Sequence, residues 1–79
     1  MNVYSTHFSA VCPVNGADIH YHLTIMSNAT VPAEDVLSAT SSATGLHEEI
    51  ADELAKLGGR QIMHASHHGV EITSYRGHL

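Results

Sequence analysis

The sequence predicts an α+β fold: an antiparallel β-sheet of three to four strands, in the order ββαββ, with one face covered by one long helix or two short ones. Alternating apolar and polar residues near both ends of the chain are typical of strands. Between them, apolar residues recur every three or four positions, as they do on one face of a helix. The 79 residues suffice for one domain, residues 1–79, and no repeat or linker divides them.

The first two strands are predicted to form a hairpin around Asn15-Gly16, a pair suited to the positive φ angles of a type I′ turn. In that register Cys12 faces Ile19 and Phe8 faces Leu23. The alternations of both strands then agree on which side is apolar. This core face carries Tyr4, Thr6, Phe8, Ala10, Cys12, Ile19, Tyr21, Leu23, Ile25 and Ser27.

A helical segment is predicted from Pro32, after Thr30 or Val31, to the glycines Gly58-Gly59. It is either one long helix or two helices broken near Thr44-Gly45, because the residues before that point are weak helix formers. Its sturdier second half is expected to bury a stripe made of Leu46, Ile50, Leu54 and Leu57.

Two short alternating runs near the end of the chain predict a second hairpin, with His68-Gly69 as its turn. Ala65 then pairs with Ile72, and His67 pairs with Val70. The alternative is a single bent strand over residues 62–75.

The net charge of −5 lies on the predicted helical segment. Between Val31 and Leu57 there are six carboxylates against Lys56 alone, while the remaining charges balance. Direct binding to nucleic acid is not expected, since three scattered cations cannot neutralise a row of phosphates. A protein partner with a basic surface is the expected electrostatic match.

Eight histidines are the other unusual feature of the composition. His7, His20 and His22 are predicted to share the open face of the sheet, and His64 joins them if the two hairpins are adjacent. Three imidazoles suit zinc, nickel or copper, so these residues are a candidate metal site. The alternative is a solvated or partner-contacting face without a cofactor.

Cys12 is the single cysteine, which excludes an internal disulfide. It is read as a small core residue rather than as a nucleophile, because the predicted register turns it inward. The N-terminus has neither the basic nor the apolar region of a signal peptide, and no apolar run approaches the roughly 18 residues of a membrane span. These features predict a cytoplasmic protein that does not contact membranes.

No catalytic motif is present, so a non-enzymatic protein is expected. In size, acidity and ββ-helix-ββ order, the whole chain resembles the small inhibitors encoded by phages and mobile elements, of which anti-CRISPR proteins are the best-known set. That resemblance implies inhibition of a host defence complex by blocking its basic nucleic-acid-binding surface. The contacts would come from Glu48, Glu49, Asp52 and Glu53, extended by Glu34 and Asp35. The alternatives are a small histidine-rich metal-binding module, or a homodimer that pairs its open sheet faces and buries Met26, Val11 and Tyr75.

Overall fold

A computed structural model describes all 79 residues and has the predicted α+β architecture. Four antiparallel strands form one sheet in the order β1-β2-β3-β4, and two helices cover one of its faces. The elements are β1 (Asn2–Val11), β2 (Asp18–Ser27), α1 (Ala33–Ser41), α2 (His47–Leu54), β3 (Arg60–His67) and β4 (Val70–Arg76), with a short 3-10 helix at Ala55–Leu57. No helix has the length and apolar character needed to span a membrane.

The β1–β2 hairpin has the predicted faces but a different register. Ile19 pairs with Ala10 instead of Cys12, which is a shift of two positions. Because side chains alternate with a period of two, this shift keeps every residue on its predicted face. Pro13 explains the error: it has no amide hydrogen to donate to the ladder, so the strands separate before it.

The loop between β1 and β2 is therefore longer than a two-residue turn. Cys12 and Ala17 close it through a backbone hydrogen bond of 2.7 Å, and the Asn15 side chain accepts a bond from the Ala17 amide. Only Gly16 of the predicted turn has a positive φ, at 72°. A type I′ turn needs positive φ at both central residues, so that prediction is wrong.

The helical segment forms two helices, as the second of the two predicted alternatives has it. The break includes Gly45, whose φ of 117° is a conformation that other residues rarely adopt. Leu46 is 42% exposed at the start of α2, so its predicted burial is wrong. The buried stripe of α2 consists instead of His47, Ile50, Ala51 and Leu54.

The β3–β4 hairpin has the predicted register, with Ala65 paired to Ile72 and His67 paired to Val70. His68 and Gly69 both have positive φ, at 52° and 82°, as a type I′ turn requires. The alternative of a single bent strand is therefore wrong.

The core lies between the sheet and the helices. Its most deeply buried side chains come from β2, β3 and α2: Leu23, Ile25, Ile50, Leu54 and Met63. Phe8 packs against this cluster from β1 but is only partly buried. The chain is thus a two-layer structure whose second sheet face is uncovered.

Candidate functional site

A small cavity of about 90 Å³ lies at the end of the core, where the sheet meets the beginning of α2. The polar and reactive side chains around it come from four separate parts of the chain. They are Cys12 after β1, Tyr21 on β2, His47 and Glu48 at the start of α2, and His67 at the end of β3.

His47 is the least expected residue of this group. It is 7% exposed, yet neither of its ring nitrogens makes a hydrogen bond. Nearly all buried polar atoms in proteins are paired, because an unpaired one costs about 1–3 kcal/mol. An unpaired imidazole beside a cavity is therefore a candidate for a hydrogen bond to a ligand.

Burial lowers the pKa of His47 below its ordinary value, because the charged ring is poorly solvated. Glu48 and the Met63 carbonyl oppose this effect but are weaker than it. The Met63 carbonyl is near the ring without reaching hydrogen-bonding geometry. Near pH 7 the ring is consequently neutral, with one nitrogen that donates and one that accepts.

Tyr21 lies beside His47, with 5.5 Å between the ring centroids. Burial raises the pKa of the Tyr21 hydroxyl, and Cys12 and Glu48 raise it further. The hydroxyl is therefore protonated at neutral pH and available as a donor. Cys12, Tyr21 and Glu48 all line the same cavity.

Cys12 has a free thiol and is 4% exposed. The prediction of a core-facing cysteine is correct, and Cys12 belongs to the apolar cluster. The same side chain also lines the cavity that His47 lines. The core and the nucleophile interpretations are thus not exclusive, since a buried thiol beside a cavity is available to a bound molecule.

The rim of the cavity is completed by a contact between two loops. The Asn15 amide nitrogen lies 2.7 Å from Nε2 of His68 and 3.4 Å from Nε2 of His67. The two histidine rings lie 4.4 Å apart. This cluster joins the loop that follows Cys12 to the β3–β4 turn, so it fixes two walls of the cavity relative to each other.

The six carboxylates predicted to contact a partner do not form one surface. Glu48 is at the cavity, whereas Glu49, Asp52 and Glu53 line a groove of about 630 Å³ between the two helices. Most of the groove carboxylates have partners within the chain: Asp52 pairs with Arg76 at 2.6 Å, and Glu53 pairs with Lys56 at 3.0 Å. Glu34 and Asp35 occupy the first turn of α1.

Glu49 accepts the Leu46 amide at 2.7 Å and so caps α2. Four of the six carboxylates therefore have either a structural role or a place in the cavity. Contact with a basic partner remains a prediction for these residues.

The predicted histidine face exists, with a different arrangement. His7 stands directly opposite His22, not diagonal to it, and their rings stack at 4.3 Å. His64 pairs with His22 on its other side, and His20 bonds to Ser9 at 2.7 Å. No group of three histidine, cysteine or acidic side chains in the structure is arranged to hold a metal ion.

Tyr21 and His47 were not predicted as site residues. A signal for His47 was present, because positions 47, 50, 51 and 54 have the spacing of a buried helical stripe. A histidine in such a stripe is a polar group in an apolar position. Tyr21 carried no comparable signal, since an aromatic residue on a core face is ordinary.

The chain is similar in structure to the crystal structure of the archaeosine synthase QueF-Like in the apo form. The TM-score is 0.69, and the match covers 99% of this chain and 94% of that one at 20% sequence identity. At this identity the likeness shows the shared fold. No family model and no curated protein sequence matches the chain.

This finding overturns the expectation of an anti-CRISPR-type phage inhibitor that blocks a host defence complex. The solved structure that shares the fold over nearly the whole chain is a QueF-like archaeosine synthase, which is not an inhibitor of that type. Size, acidity and element order had suggested the inhibitor class, and none of these features is specific to it. The candidate site is the cavity lined by Cys12, His47 and Glu48, on the geometry described above.

Proposed function

We propose that the cavity binds a nucleobase of the guanine type, or a compound with the same hydrogen-bonding edge, and holds it beside the thiol of Cys12. The observation that carries this proposal is the buried His47 ring, whose two nitrogens lack partners. A planar heterocycle with donors and acceptors at its edge supplies such partners. Proteins read unpaired bases by this combination of edge contacts and aromatic stacking.

Glu48 is the residue that favours guanine over adenine. It is the exposed carboxylate at the cavity, next to His47 in the first turn of α2. A carboxylate only accepts hydrogen bonds, and it binds best to two adjacent N–H donors. The Watson–Crick edge of guanine presents such a pair, whereas adenine presents one donor beside an acceptor.

The volume of the cavity limits what it encloses. About 90 Å³ is room for on the order of three water molecules, so the ligand enters by one edge and the remainder lies outside. The aromatic rings of Tyr21, His47 and His67 are the surfaces against which a planar ring packs. A sugar or a polynucleotide would then extend into solvent.

Cys12 is proposed as a nucleophile that adds to a ring carbon doubly bonded to nitrogen. The carbon–sulfur bond forms as the π electron pair of that double bond moves to the nitrogen, which takes up the thiol proton by way of His47. The thiolate is the reactive form of cysteine, so the thiol proton needs an acceptor. His47 is neutral near pH 7 and lines the same cavity, which makes it the group to accept that proton. We include a cytosolic location in the proposal, where Cys12 stays reduced.

The similarity to an archaeosine synthase supports a function related to nucleic acids. It agrees with the proposed ligand class, which was argued from the cavity. The expectation that the chain does not bind nucleic acid directly stays a prediction.

The experiment is a calorimetric titration of the protein with guanosine, with adenosine as the matched control ligand. We expect guanosine to bind more tightly, and Glu48→Gln to weaken that binding by about tenfold or more, since hydrogen bonds to a charged group contribute about 1.5–3 kcal/mol. Glu49→Gln is the control, because it removes the same charge one residue away and lines the groove instead. Equal affinity for the two nucleosides, or equal effects of the two variants, would contradict the proposal.

The role of Cys12 has its own readout. Guanosine is expected to slow the alkylation of Cys12 by iodoacetamide, followed by mass spectrometry of the intact chain. Cys12→Ser is expected to keep guanosine affinity, because the serine is nearly the same size. An unchanged rate of Cys12 alkylation at saturating guanosine would show that the bound base does not lie against the thiol.

A further inference from the structure

The loop between β1 and β2 forms part of the cavity rim and is hydrogen-bonded to the rest of the molecule through one side chain. Residues 13–16 are all exposed, and none of them belongs to the sheet ladder. The backbone hydrogen bonds of this loop stay inside it: Cys12 donates to Ala17 at 2.7 Å, and Gly16 donates to Cys12 at 2.8 Å. The loop is thus the part of the rim that can move without breaking the sheet.

Asn15 makes the connection between the loop and the β3–β4 turn. Its amide oxygen accepts the Ala17 amide at 3.0 Å, which orients its amide nitrogen toward that turn. The nitrogen lies 2.7 Å from Nε2 of His68 and 3.4 Å from Nε2 of His67. It can only donate, and only the bond to His68 has the ordinary length. This bond, the Asn15 bridge, joins a loop that begins at Cys12 to a turn that begins at His67, and both of these residues line the cavity.

The closed cavity leaves little room for a molecule to reach the thiol. Its volume is about 90 Å³, and Cys12 is 4% exposed. The other walls are held in place: Tyr21 and Ala65 are paired in the ladder, and Glu49 caps the start of α2 by accepting the Leu46 amide at 2.7 Å. A molecule larger than a few waters therefore reaches Cys12 only when the β1–β2 loop moves.

We propose that Asn15 is a positioning residue that controls access to Cys12. The Asn15 bridge keeps the loop closed over the thiol, and it opens when a molecule enters the cavity. The net contribution of one hydrogen bond between neutral groups corresponds to a factor of about 2 to 12 in an equilibrium constant. Loss of the bridge should raise the population of the open loop by about that factor. The inference concerns access to the cavity and does not depend on which ligand binds there.

The test measures the rate of Cys12 alkylation by iodoacetamide at pH 7.5 without any ligand, followed by mass spectrometry of the intact chain. In Asn15→Ser the hydroxyl still accepts the Ala17 amide within the loop, but it is too short to reach His68. We expect alkylation to be about two- to tenfold faster in this variant. Asn28→Ser is the matched control and should keep the wild-type rate, because Asn28 is an exposed asparagine outside the strands and helices.

His68→Asn removes the other partner of the bridge. The φ of His68 is 52°, and asparagine adopts positive φ readily, so the turn keeps its geometry. We expect His68→Asn to accelerate alkylation as Asn15→Ser does. The double variant should be no faster than either single variant, because all three lack the same bond. Effects that multiply in the double variant would contradict a shared contact between Asn15 and His68.

Urea distinguishes opening of the loop from unfolding of the whole chain, which also exposes Cys12. A local opening exposes little surface, so the alkylation rate should change little with urea below the unfolding transition. A rate that follows the unfolded fraction in both wild type and Asn15→Ser, or equal rates in the two proteins, would overturn the proposal. Guanosine is absent throughout, so a failure of the proposed function would appear in the guanosine titration and not in these rates.

Discussion

Replacing His47 with leucine tests whether its ring nitrogens are truly unpaired. Leucine has similar bulk and fits the apolar stripe that Ile50, Ala51 and Leu54 form on α2. The substitution removes a buried imidazole without hydrogen bonds, and an unpaired polar group costs about 1–3 kcal/mol. We therefore expect His47→Leu to raise the free energy of unfolding by about 1–3 kcal/mol, measured by urea denaturation at pH 7.5. Most substitutions at buried positions lower the free energy of unfolding instead.

His47→Leu also tests how the stability of the protein depends on pH. Because burial lowers the pKa of His47, this residue binds a proton below about pH 6.5 in the unfolded chain but not in the folded chain. Wild-type stability should fall below that pH, and His47→Leu should remove this part of the loss. The matched control is His78→Leu, an exposed histidine outside the strands and helices, whose pH profile should equal that of wild type. A His47→Leu protein that is less stable than wild type at pH 7.5 would show that the ring nitrogens are paired, and the argument for a ligand would fail with them.

Three further predictions concern the fold and are measured as changes in the free energy of unfolding. Leu54→Ala should cost about 2–5 kcal/mol, because this side chain is 1% exposed at the centre of the core. Gln61→Leu should cost about 1–3 kcal/mol, since its buried amide donates to the Leu54 and Gly58 carbonyls at the end of the helical segment. Asp52→Asn should cost less than about 1 kcal/mol, because the Asp52 side chain in its ion pair with Arg76 is 69% exposed. An unchanged midpoint in Leu54→Ala would contradict the packing of α2 on the sheet.

The two hairpins show what a sequence pattern determines and what it leaves open. Alternation fixed the face of every residue in β1 and β2, because that depends only on odd and even positions. It did not fix which residues pair, and there Asn15-Gly16 was misleading while Pro13 carried the decisive information. The β3–β4 turn has no proline, and His68-Gly69 forms the two-residue turn that its sequence predicts. Register thus follows from the residues that cannot join the ladder as much as from those that favour a turn.

The candidate site could not be predicted from the sequence, for a different reason. Cys12, Tyr21, His47 and His67 come from four separate parts of the chain, and no spacing along the chain relates them. Cys12 was considered as a possible nucleophile, but nothing in the sequence places His47 near it. Glu48 was identified, although as one member of a charged stripe. The structure separates it from Glu49, because neighbouring residues at the start of a helix face different directions.

The histidines illustrate why composition alone does not assign a role to a residue type. The stacked pair of His7 and His22 lies on an uncovered face, where solvent is near and hydroxyl groups supply hydrogen bonds. His47 lies in the apolar layer on the other side of the same sheet, where nothing pairs with it. Acid should destabilise the protein at His47, because the charged ring is poorly solvated there. Since His47 lies beside a cavity, a ligand that pairs with the neutral ring should increase this acid sensitivity, because protonation of the ring would also break its contact with the ligand.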